Sequence, residues 1–230
     1  MHMVEAFLAA AEATGEQRFV DRAVRMAERL IRQLTASNDW RLAEHYDQFW
    51  TIARDYNRDQ PNNLFRPYGS IIGHWLEWAR LLLQLRAVAG ERAAWASDAA
   101  RMLFQRAIAE GWDVARSGFF FTVDWGGSAL NRDRYHWVIA EAIGAAAYLY
   151  RTTGDKDYAQ WYRAFWDYAD RYLVDHERGS WWHQLDPANQ PTSDPWEGKP
   201  DLYHALQATL FARTPVNRGI ALALASGQVR

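Results

Sequence analysis

Apolar residues recur at helical spacing along most of this chain, and they do so in pairs of segments joined at a glycine. "MVEAFLAAAEATGEQRFVDRAVRMAERLI" is one such pair, turning at Gly15. "GHWLEWARLLLQLRAVAGERAAWASDAARMLFQRAI" repeats the pattern around Gly90, and "YHWVIAEAIGAAAYLYRTTGDKDYAQWYRAFWDYADRYL" repeats it around Gly154. Each glycine follows the last periodic residue, where a helix end calls for a left-handed conformation. Turns this short make the two helices of each pair antiparallel neighbours.

Successive helical hairpins of one hand stack side by side and can close into a ring. The pattern therefore predicts an all-α toroid, the first helix of each pair lining the inside and the second facing out. The second helices fit that role. Residues 17–34 carry Arg22, Arg25, Glu28, Arg29 and Arg32 on one face, and residues 156–173 set an apolar stripe (Tyr158, Trp161, Tyr162, Phe165, Ala169, Tyr172) opposite their charges. That stripe reads as core. The stretches between pairs, "NDWRLAEHYDQFW", "GWDVARSGFFFTVDWGG" and "GSWWHQLDPANQP", are rich in Gly, Asp and Trp and predict loops with short hairpins.

Composition narrows the function classes. The 230 residues have a net charge of −2 and no cysteine. Disulfides, thiol catalysis and cysteine–zinc sites are excluded, and no basic excess points to nucleic acid or a membrane surface. No leader-like segment opens the sequence and no apolar run is long enough to span a bilayer, so the expected location is cytoplasmic. Thirteen tryptophans are unusual; they imply heavy aromatic packing, or rings that stack on the faces of a sugar.

The chemistry gathers at the helix starts. "MHMVEA", "GHWLEWA", "YHWVIAEA" and "YHALQA" each open near a histidine: His2, His74, His136 and His204. Glu5, Glu77 and Gln207 follow three residues later, and Glu141 follows His136 by five. In a toroid these ends surround one mouth of the central cavity. A histidine at a helix start is also a simple capping choice, and His with Glu is a ligand set for zinc or manganese, though paired-helix metal proteins use Glu-x-x-His in mid-helix. His45 and His176 read as solvated loop residues, and His183, after two tryptophans, as a rim residue.

With these residues in view, the sequence resembles the N-acylglucosamine 2-epimerase superfamily, most closely its aldose–ketose isomerase branch. The resemblance rests on "RPYGSIIGHWLEWARLLL", "RYHWVIAEAIGAAAYLYRTTGDKDY", "GSWWHQLD" and "WEGKPDLYHALQATL" and runs over the whole chain. It implies an (α/α)6 barrel, here an incomplete one of seven or eight helices forming a single domain over 1–230, with the N-terminal helices absent. The implied activity is interconversion of an aldose and its ketose, of the mannose/fructose type, through a cis-enediol, with neither metal nor cofactor. His204 would move the proton between C2 and C1, and His74 would assist ring opening and transfer at the oxygens. His2, Arg66, Glu77, Trp137 and Glu141 match sugar-binding positions. The implied partner is a small monosaccharide, beside either a second copy or the missing N-terminal half. A partial ring would leave apolar flanks open on its first and last hairpins. Three alternatives stand beside this reading: a sugar 2-epimerase, a toroid glycoside hydrolase using Glu77 and Glu141, and a non-catalytic sugar-binding or assembly fragment.

Overall fold

The computed structural model describes residues 1–193 and 197–229. Trp196, which opens the "WEGKPDLYHALQATL" stretch, lies outside the described residues. Eight α-helices occur among the described residues, in four hairpins: α1 (His2–Thr14) with α2 (Gln17–Ala27), α3 (Ile72–Ala89) with α4 (Ala96–Arg106), α5 (His136–Thr153) with α6 (Lys156–Tyr168), and α7 (Tyr203–Phe211) with α8 (Ile220–Ala225). Helix α3 packs on α1 and α5, and α5 packs on α7, so the first helices form an inner row. Helices α2, α4 and α6 lie outside it. This is the expected toroid class, as an arc of hairpins.

The inner row is where the sequence is least amphipathic. Leu76, Ala79, Leu82 and Leu85 of α3 and Ala142, Ile143, Ala146 and Leu149 of α5 are fully buried. A helix apolar all round must be covered all round, and the second layer does this. Two glycines permit the close approach. A Cβ on Gly144 would sit 2.7 Å from Phe211 of α7, and one on Gly73 would sit 2.2 Å from the ring of Trp137. The stripe on α6 is core as expected, with Phe165 and Ala169 fully buried. Most of the aromatic excess goes into this layer: Trp112 meets Phe119 at 5.0 Å and Trp161 at 5.6 Å, both edge-to-face.

Gly15 and Gly154 end their helices in the left-handed conformation, with φ of 73° and 74°. Gly90 does not. Its φ is 62° but its ψ is −137°, and the chain runs on into a short 3-10 turn over Gly90–Ala93. Helices α2, α4 and α6 each run into a π-helical stretch, Glu28–Thr35, Ala107–Gly111 and Ala169–Leu173.

The loops between hairpins repeat in detail. Asp47, Asp113 and Asp175 each accept, on one carboxylate oxygen, two backbone N–H groups just ahead of them, which closes a tight turn. Two-residue strands then tie the repeats together. β1 (Ser70–Ile71) pairs antiparallel with β2 (Thr122–Val123), and β3 (Arg134–Tyr135) with β4 (Gln184–Leu185). Each pair joins the entry of an inner helix to the loop beyond the next outer helix. The N-terminal ends of α3 and α5 are thereby pinned, and the histidine-bearing turns with them. The expected apolar flank is present on the first and last hairpins: Met3, Tyr203, Leu206 and Leu224 are 50–53% exposed.

Candidate active site

The four helix-start histidines take different partners. His74, in the first turn of α3, directs Nδ1 to the Glu44 carboxylate at 2.8 Å. Glu44 comes from the loop before α3 and also accepts the Ile71 backbone N–H at 3.1 Å, so it is fixed from two sides. Burial opposes a charge on His74, but the charge and hydrogen bond of Glu44, helped by Glu77, raise its pKa above the ordinary histidine value. His204, at the start of α7, directs Nδ1 to Oδ2 of Asp201 at 2.5 Å. Both histidines therefore have a carboxylate on Nδ1 and keep Nε2 for other work.

Trp137, half-buried at the start of α5, is the common neighbour of both. Its ring centre lies 5.5 Å from His74 and 6.1 Å from His204. The absent side chain of Gly73 makes room for that indole. A cavity of about 390 Å³ opens here, lined by Leu64, Phe65, His74, Trp137, His183 and Asp201 among others, within the size range of small-molecule sites.

Beneath the histidines lies a buried charge cluster. Arg80 is 2% exposed and holds Glu141 with two N–H groups, Nε to Oε2 at 2.6 Å and Nη2 to Oε1 at 3.3 Å; Nη2 also reaches Glu5 at 3.3 Å. Its guanidinium rests on the Phe211 ring at 4.8 Å. Glu77 makes no hydrogen bond to that cation, and burial together with the Glu141 carboxylate outweighs the charges of Arg80 and His74 and pushes it up to about 8, favouring its neutral form. His2, largely exposed, lies 3.6 Å from it. Glu141 is committed to Arg80, which leaves the pair Glu77 and Glu141 poorly suited to the two free carboxylates of a glycoside hydrolase.

Of the residues singled out from sequence, the structure brings His74, His204 and Trp137 together, with Glu77 and Glu141 joined to Arg80 below and His2 beside Glu77. Arg66 stands apart. It is exposed, its backbone carbonyl accepts from Asn57, and its neighbours Leu64 and Phe65 supply the cavity wall. His45 is a correction: it is half-buried, its ring lies 3.9 Å from that of Tyr56, and its Nε2 is buried without a partner. His176 is solvated as expected and His183 does line the cavity. Glu44, Arg80 and Asp201 were not evident from the pattern. Asp201 is three residues before His204, a spacing that signals the contact; Glu44 is in a distant loop and gives no such signal. Two groups bring ligand-type atoms within 4.8 Å of one another, His136–Asp201–His204 and His2–Glu5–Glu77. The first has its atoms engaged in mutual hydrogen bonds.

The chain is 46% identical over 228 residues to D-mannose isomerase of Thermobifida fusca and 45% identical over 231 residues to that of Pseudomonas cannabina pv. alisalensis. In both cases 98% of this chain is matched, but it spans only 56% of the relative. A crystal structure of D-mannose isomerase superposes with a TM-score of 0.85 at 33% identity, over 92% of this chain and 54% of the other. No helix among the described residues is long and apolar enough to cross a membrane. Residues 1–208 match the model of the N-acylglucosamine 2-epimerase family, and the chain belongs to that family.

Proposed function

We propose that this chain carries the proton-transfer residues of an aldose–ketose isomerase of the mannose/fructose type. The observation that supports it most directly is the pair of histidines, each backed by a carboxylate and both beside Trp137, which lines the cavity with His74 and Asp201. The relatives named D-mannose isomerase support a monosaccharide of that class as the substrate.

In this reading the open-chain sugar lies against Trp137. Nε2 of His204 takes the proton from C2 while the C1 carbonyl becomes an enediol oxygen, and the same nitrogen returns the proton to C1. His74, whose raised pKa favours the charged form, supplies and recovers the proton at the oxygens during ring opening and enolisation. A single base on one face returns the proton to the neighbouring carbon, which gives the ketose. No step calls for a redox change or a second reactant.

The test is proton NMR of the chain with D-mannose in D2O. Fructose should form, carrying deuterium at C1 to the extent that the histidine proton exchanges. His204→Ala and His74→Asn should each slow the reaction by at least about a hundredfold. Full turnover in either variant would sink the assignment, and glucose in place of fructose would make the chain a 2-epimerase.

A further inference from the structure

We propose that Asp201, with His136 behind it, is the positioning residue for His204, holding its ring in the one tautomer that leaves Nε2 free to act as a base. This rests on the reading of His204 given above. The donors and acceptors around Asp201 carry the argument. Its Oδ2 lies 2.5 Å from Nδ1 of His204 and 3.0 Å from Nε2 of His136, and its Oδ1 accepts the His204 backbone N–H at 3.3 Å. The carboxyl is only partly withdrawn from water. Burial works against its charge, but the two histidine hydrogen bonds hold it well below the usual carboxylate range, so it is an acceptor only. Both facing ring nitrogens must then carry hydrogen.

The surrounding groups close off the alternatives. Nδ1 of His136 faces the His183 carbonyl oxygen at 3.1 Å, a second polar contact that holds the ring in place. The backbone N–H of Asp201 donates to Nε2 of His183 at 2.8 Å, which makes His183 an acceptor there. The His183 ring stacks on His136 with centres 4.2 Å apart and planes 10° apart. His136 is therefore clamped by a carbonyl, a carboxylate and a stacked ring. It cannot swing away from Asp201, and Asp201 in turn cannot swing away from His204. The Nδ1–H of His204 is the donor this chain of bonds fixes, and its Nε2 is left with the lone pair.

Substitution Asp201→Asn keeps the shape and removes the obligatory acceptor. The first readout is the two-bond 1H–15N spectrum of histidine-labelled protein, which shows which ring nitrogen is protonated. In the unaltered chain, at a pH where the ring is neutral, His204 should hold its hydrogen on Nδ1. In Asp201→Asn a substantial fraction should move to Nε2. The second readout is steady-state kinetics with D-mannose: kcat should fall by about 10²–10⁴-fold with KM changed less than about threefold, and Asp201→Glu should recover part of it.

A neutral His204 carrying its hydrogen on Nε2 in the unaltered chain would overturn the proposal, and that measurement needs no variant. An unchanged tautomer in Asp201→Asn would overturn it too. If the tautomer shifts as expected but the unaltered chain turns over no sugar, the positioning role of Asp201 stands and the functional reading falls.

Discussion

Glu77 offers a quantitative test of the buried charge cluster. Its carboxyl is raised from 4.5 to about 8, because burial and the neighbouring Glu141 carboxylate outweigh the opposing charges of Arg80 and His74. The native state then holds a proton that the unfolded chain releases. The stability associated with that proton is fully present below about pH 4.5 and is lost as pH rises through about 8. Three to four units at about 1.36 kcal/mol each make the loss about 4–5 kcal/mol. Glu77→Gln mimics the protonated carboxyl and cannot ionise. Urea unfolding of both proteins from pH 5 to 9 should show the Gln variant gaining relative stability steadily, by about 4–5 kcal/mol at the alkaline end. His74, also raised, tilts both curves the same way and largely cancels in the difference. A difference that stays flat across the range would refute the reasoning, since Glu77 would then be ionised in the native state.

Other outcomes follow from the same packing. Arg80→Met should lower stability by about 3–5 kcal/mol, seen as a drop in Tm, because it strands the Glu141 carboxylate without its cation. Gly73→Ala puts a methyl group into the Trp137 ring; it should cost about 1–3 kcal/mol and depress sugar turnover more than its Tm suggests, because the indole moves from the two histidines. Asp155 caps α6 by accepting the Asp157 N–H at 3.0 Å. Asp155→Ala should cost about 1 kcal/mol in urea titration and leave turnover unchanged.

The hairpin architecture was legible because its signals are local. Period, turn glycine and helix-start histidine all fall within a single hairpin, at Gly15 and Gly154 as at His74 and His204. Gly90 shows the limit: glycine marks the turn, but ψ there is set by the 3-10 turn that follows. The two-residue strands gave no pattern, since alternation needs more than two positions to be seen. Arg80 in "WLEWARLLL" gave no local signal because its partners, Glu5 and Glu141, come from the helices on either side. Glu44 lies in a loop thirty residues from His74, and only the tertiary fold brings them together. Site residues that face their own helix could be found; those that arrive from another hairpin could not.

The two strand pairs, each bracketing one hairpin, carry a consequence for how the chain acquires its shape during synthesis. β1 at Ser70–Ile71 finds no partner until β2 at Thr122–Val123 has been made, and β3 at Arg134–Tyr135 waits in the same way for β4 at Gln184–Leu185. At about 5–20 residues per second on a ribosome, each wait lasts several seconds. During that interval the helices of a repeat can form and pack, while the turn that bears its histidine stays unfastened. Maturation therefore proceeds in steps, in which each of these two hairpins is fastened at its entry by the loop made after it.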